Sequence, residues 1–254
     1  MRAARYAAVG ATLLATLACD KTPEPKAPTS SVPPRSESTA AAAAGESASP
    51  SLPDLMKRHF TKSTEMEAAL IRGKLDEFKE ASVWLAEHQI SVQLPVSWEQ
   101  HVDGMTEAAR ASRDAADVNQ AGFAFGSLGR ACATCHEQLG GPKITVGRPP
   151  AEGSGAQLHM LRHQWAAERM WEGLMAPSDE AWIKGSEVLS DAPLGERALA
   201  GARSVPPKIV ILAKQVHGLG NTGRTVKAED RGKIYGQFLA TCAVCHDELG
   251  VTMK

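Results

Sequence analysis

The chain has 254 residues, with 28 Lys and Arg against 29 Asp and Glu, for a net charge of −1. That near-neutral balance, without a basic block, excludes the electrostatic footprint of a nucleic-acid binder. Beyond the N-terminus no apolar run approaches the ~20 residues that a membrane-spanning helix needs. At the N-terminus, Arg2 and Arg5 precede an apolar stretch from Ala7 to Ala18. It is too short to span a bilayer and reads as an export signal over residues 1–18.

The stretch ends in Thr16-Leu17-Ala18-Cys19, which resembles the lipobox of bacterial lipoproteins, although Thr16 stands where those proteins most often have leucine. The resemblance implies that Cys19 is lipidated and becomes the new N-terminus, holding the protein to a membrane. Asp20 beside it resembles the inner-membrane retention signal of enteric bacteria. An ordinary cleaved signal with an incidental cysteine is the alternative. Residues 19–51 are rich in Pro, Ser, Ala, Glu and Lys with almost no bulky apolar side chain. Such a segment cannot bury enough surface to offset its ordering entropy, so a disordered tether is expected. Export and a periplasm-facing location follow.

From Pro53 onward the chain repeats itself. At an offset of 104, Met56 matches Met160, Arg58 matches Arg162, His59 matches His163, Met66 matches Met170 and Leu70 matches Leu174. Near the C-terminus of each copy the offset becomes 110, pairing Gly126 with Gly236 and Cys132 with Cys242. Six residues are therefore inserted in the second copy, between its second and fourth helices. A period of this length means duplicated domains, expected over 52–141 and 157–254 with a Gly- and Pro-rich linker over 142–156. Apolar or small residues at 56, 59, 63, 66 and 70 form a stripe along a first helix from 53 to 73. Helices are predicted next over 75–88, from Ser97 with Trp98, Met105 and Ala109 inward, and over 119–139. The second copy repeats the plan at 157–175, 178–190, 196–219 and 228–249. Strand signals are nearly absent, and four helices with short connections favour an antiparallel bundle. The expected fold is all-α: two tandem four-helix bundles.

Each last helix ends in the same pentapeptide. Cys132-Ala133-Thr134-Cys135-His136 and Cys242-Ala243-Val244-Cys245-His246 are both C-x-x-C-H, followed three residues later by Leu-Gly. This is the attachment signature of c-type haem. The thiols of Cys132, Cys135, Cys242 and Cys245 can add to the haem vinyl groups, and His136 and His246 then supply one axial nitrogen to each iron. Zinc is the chief competitor for Cys-x-x-Cys pairs, but ribbon sites close within about twenty residues, whereas 106 residues lie between Cys135 and Cys242. Aromatics are only 5% of the chain, and two haem macrocycles would supply much of the flat apolar surface that such cores lack.

A four-helix unit of about 90 residues whose C-x-x-C-H closes its final helix resembles class II cytochromes c, the cytochrome c prime and c-556 group. The resemblance covers both copies. It implies a haem c held within each bundle, a proximal histidine on helix four and, where a sixth ligand exists, a methionine near the start of helix one. Of the six remaining histidines only His59 and His163 match across the repeat, one turn from Met56 and Met160. The distal iron ligand is therefore expected to be His59 and His163, with Met56 and Met160 or an open site as alternatives. His88, His101, His159 and His217 have no repeat partner and are expected at the surface or as caps. Arg58 and Arg162 could pair with a haem propionate or face solvent. Two haem c groups and redox partner proteins point to electron transfer without an enzyme's catalytic constellation and with no small-molecule substrate evident. A gas-binding or peroxide-reactive haem protein with an open sixth site is the alternative.

Overall fold

The computed structural model describes residues 51–88, 90, 94–153, 155–191, 194 and 205–251. The expected signal over 1–18, the lipidation site Cys19 and the tether lie outside the described residues, except Ser51. Ser51 starts the first helix: its hydroxyl accepts from the Asp54 N–H while the Asp54 carboxylate accepts in return, a reciprocal cap on otherwise orphaned donors.

Eight α-helices follow among the described residues: α1 Leu52–Ile71, α2 Leu75–Glu87, α3 Glu99–Arg113, α4 Val118–Leu139, α5 Ala156–Met175, α6 Asp179–Leu189, α7 Pro207–Gly223 and α8 Arg231–Leu249. They form two interacting bundles, α1–α4 and α5–α8, in which consecutive helices are neighbours. The all-α expectation holds. Asp117 and Ser178 cap α4 and α6 by accepting backbone N–H bonds. Helix α7 starts at Pro207, after Val205 and Pro206 outside any helix, and the predicted start at Glu196 lies outside the described residues. Pro207 occupies the first turn, where its missing N–H costs nothing, and a helix is disfavoured at the residue before a proline. The inserted residues fall between α6 and α7, largely outside the described residues.

The most extensive helix pairing is between the bundles, where α4 crosses α8. A Cβ placed on Gly122 would stand 2.4 Å from the Gly236 carbonyl oxygen, and one on Gly126 only 2.0 Å from that of Gly232. The reciprocal contacts from Gly232 and Gly236 are equally close. Each helix thus carries a G-x-x-x-G that lets backbone rest on backbone. The repeat-matched Gly126 and Gly236 serve this close approach between helices, and Gly122 and Gly232 complete it. Because 122 meets 236 while 126 meets 232, the helices run antiparallel through a local two-fold centred near Ala124 and Ile234. His136 and His246 each lie about twelve residues beyond it, some ~18 Å along opposite directions at 1.5 Å per residue. The C-x-x-C-H motifs therefore lie at opposite ends of the crossed α4–α8 pair.

One apolar core runs through both bundles. At its centre Phe125 stacks on Trp171 of the other bundle, with centroids 4.5 Å apart. At the equivalent place Tyr235 donates its hydroxyl hydrogen to Glu67, also across the bundles, and lies 3.1 Å from the Ala167 carbonyl oxygen. Glu67 is 5% exposed. Burial raises its carboxyl to about 7, with Glu168 and Glu172 adding to the rise and the Tyr235 hydrogen bond opposing it. From the ordinary value of 4.5 up to about 7 the folded state holds a proton that the unfolded chain has released. Stability should fall as pH rises through that window, by at most ~1.4 kcal/mol per pH unit, and level off above it. Urea unfolding at pH 4 and pH 8 checks this: Glu67→Gln should lose this component of the slope and gain on the wild type at pH 8.

Candidate functional site

Cys132, Cys135 and His136 close α4, and Cys242, Cys245 and His246 close α8. Spacings of i, i+3 and i+4 put both thiols and the imidazole on one helical face. Each helix stops one turn later at a glycine in the left-handed region, Gly140 at φ 79° and Gly250 at φ 61°. The His136 carbonyl accepts from the N–H groups of Gly140 and Gly141, both at 3.0 Å, and the His246 carbonyl accepts from Val251 at 3.0 Å. The recurring Leu-Gly is therefore a helix stop placed directly behind the motif.

The motif histidines are oriented across the bundles. His136 Nδ1 lies 2.8 Å from the carbonyl oxygen of Met175, the last residue of α5. His246 Nδ1 lies 3.0 Å from that of Ile71, the last residue of α1. Ile71 and Met175 are equivalent at the 104 offset. A carbonyl only accepts, so each ring carries its hydrogen on Nδ1 and keeps the Nε2 lone pair free. Histidines that bind metals are commonly held in this way. Each bundle thus supplies the backbone group that orients the other bundle's histidine.

At the first motif, Cys132, Cys135 and His136 open onto a cavity of about 590 Å³, within the size range of cofactor sites. Its walls are largely apolar, with Leu128, Trp98 and Met105 among them, and Met56 and His59 line it from α1. The residue set fits a flat apolar cofactor carrying one metal: two thiols, one oriented imidazole and an apolar chamber. His59 Nε2 is 2.9 Å from His88 Nε2, and His88 Nδ1 is 2.9 Å from the Trp84 carbonyl oxygen. Since that carbonyl fixes the His88 hydrogen on Nδ1, His59 is the donor between the two rings. Trp84 stacks flat on His88 at 4.1 Å. Burial, reinforced by His88, Arg58 and His136, lowers His59 to about 4. His101, expected at the surface or as a cap, is half-buried and lines the same cavity.

The second bundle differs. His163 on α5 is surrounded by His159, one turn earlier, and His217 from α7, with ring centroids 4.3 and 5.1 Å away. His159 and His217, expected at the surface or as caps, are 8% and 4% exposed. Helix α7 lays one against α5, and the i, i+4 spacing places the other on the face of His163. Burial, then the neighbouring histidines and His246, holds His163 well below its ordinary value. Met56 and Met160, at 37% and 36% exposed, lie at the edge of α1 and α5. Arg58 is exposed, whereas Arg162 is buried and committed to Asp191 and, at 2.6 Å, to the Pro150 carbonyl oxygen.

All four motif cysteines are free thiols. Burial pushes the Cys132 thiol up to about 12 and that of Cys242 higher still. Among the described residues, moreover, neither motif brings its two sulfurs and its imidazole together as one ligand set; only His159, His163 and His217 converge in that way. No described helix is long and apolar enough to cross a membrane. No protein-family model matches the chain, nor does any curated protein or solved structure.

Proposed function

We propose that the protein is an exported dihaem cytochrome c that carries electrons between redox partner proteins. The duplicated units over 52–141 and 157–254 would each hold one haem c, and the lipid on Cys19 would fasten both to a periplasm-facing membrane surface through the 19–51 tether. Cys132 and Cys135 would hold the haem by thioether links at the first site and Cys242 and Cys245 at the second, and His136 and His246 would be the proximal ligands. Bound haem would supply an iron that cycles between ferrous and ferric. The protein does the rest. The Met175 and Ile71 carbonyls hold the imidazoles in the metal-binding tautomer, the apolar walls exclude water, and the pair of opposite ends offers two separate docking points for donor and acceptor. The observation that carries this reading is the matched pair of histidine–carbonyl bonds behind two C-x-x-C-H motifs.

His59 would be the distal ligand at the first haem, ahead of Met56, because it is half-buried in the cavity that both line, whereas Met56 is 37% exposed. To bind iron through Nε2 it must release His88, which Trp84 keeps in place. That bond also favours a second reading: with His59 retained by His88, the sixth site stays open to a gas or peroxide. Visible spectra separate the two. For the carrier, the first haem is low-spin and carbon monoxide does not shift its bands, and His59→Ala converts one haem of two to high spin. A wild-type haem already high-spin and shifted by carbon monoxide supports the open site. Low-spin bands unmoved by His59→Ala pass the role to Met56.

A further inference from the structure

The second bundle has a feature that its twin lacks. His159-Met160-Leu161-Arg162-His163 is H-x-x-x-H, whereas the equivalent stretch of the first copy is Leu55-Met56-Lys57-Arg58-His59. Histidines four apart share one helical face, a spacing used by metal sites, and α7 adds His217 from the side. One nitrogen from each of the three rings lies within 4.8 Å of the other two. Three nitrogens around a tetrahedral zinc ion at ~2.0–2.1 Å stand roughly 3.4 Å apart, so small ring movements close the set. His163 Nε2 and both His217 ring nitrogens are buried without a hydrogen-bond partner. Orphaned buried polar atoms cost stability unless something satisfies them. The carbonyls of Leu189 and Asp191 lie beside His217 without a well-formed hydrogen bond to it, near enough to orient its ring once the other nitrogen is engaged. Haem attachment does not explain the set, because the first bundle carries the same C-x-x-C-H with only His59 at the equivalent positions.

We propose that His159, His163 and His217 form a binding site for a divalent transition-metal ion of the zinc class that takes no ligand from either C-x-x-C-H motif. Three neutral imidazoles suit zinc, copper or nickel and leave a fourth position for water or another donor. Using His163 in this way removes it from the second iron, so the two haems would not share one distal ligand set. The site does not depend on the electron-carrier reading, since its ligands are complete without haem.

The test uses the full-length, haem-loaded protein stripped with a chelator and titrated with zinc against a chromogenic competitor. One zinc per chain is expected in addition to the two haem irons. His159→Gln and His217→Gln, which keep side-chain bulk, should each weaken binding at least ~100-fold, the upper end of what losing a mere outer-shell partner costs. Absence of stoichiometric zinc overturns the proposal, as does zinc binding that survives both variants unchanged. It is likewise overturned if His163→Gln turns the second haem high-spin while leaving zinc affinity untouched.

Discussion

Gly126→Ala should destabilise the protein by ~3 kcal/mol or more, at the top of the range for overpacking a well-filled core. The added Cβ would lie 2.0 Å from the Gly232 carbonyl oxygen and 2.7 Å from its carbon. Those atoms are backbone in the first turn of α8, so no side chain can rotate away and the helices themselves must part. Parting them also disturbs the Phe125–Trp171 stack and the Glu67–Tyr235 bond beside the crossing. Gly232→Ala should cost a similar amount, since its Cβ would meet the Gly126 oxygen at 2.5 Å. Gly104 and Gly218 are the controls. Nothing lies within 4 Å of a Cβ at either, and alanine there should gain up to ~1 kcal/mol of helix propensity. Urea midpoints for the four variants check the contrast, and equal behaviour would remove the glycine crossing from the account.

Replacing Cys132 and Cys135 together by alanine should abolish covalent haem in the first bundle and leave the second loaded. The loss reaches stability as well as spectra. A cavity of about 590 Å³ walled by apolar side chains would lose its permanent filling, and a ligand held at a thousand times its dissociation constant contributes ~4 kcal/mol. A drop of that order is expected in the double variant, with thermal unfolding followed at a haem band and by circular dichroism. The Cys242→Ala, Cys245→Ala pair should lose the other haem. Because Ile71 and Met175 hold each other's bundle in register, each half-loaded protein should also show a shifted potential at its remaining haem.

The motifs and helices were more legible than the assembly. C-x-x-C-H is a contiguous motif, and the two repeat offsets placed every helix within a few residues, apart from the start of α7. Which bundle each residue serves was not legible, because a duplicated sequence reads the same whether Met175 orients His136 or His246. Backbone acceptors such as Ile71 and Met175 leave no trace in side-chain pattern. The glycine crossing was half visible: Gly126 and Gly236 stood out as matched positions, while the four-residue spacing to Gly122 and Gly232 was there to be read as a helix-packing face. Matching across the repeat also hid the histidine cluster, since it discards any residue present in one copy alone. The i, i+4 spacing of His159 and His163 was a local signal for it. Nothing in the sequence pointed to His217 or His88, which only the packing of α7 on α5 and of α2 on α1 brings beside their partners.

The most direct test is the intact mass of the protein matured in a host that attaches haem. Two porphyrins joined through Cys132, Cys135, Cys242 and Cys245 predict a mass above that of the processed polypeptide by two haem groups, retained after denaturation. A denatured chain weighing only its amino acids and any lipid would contradict the account.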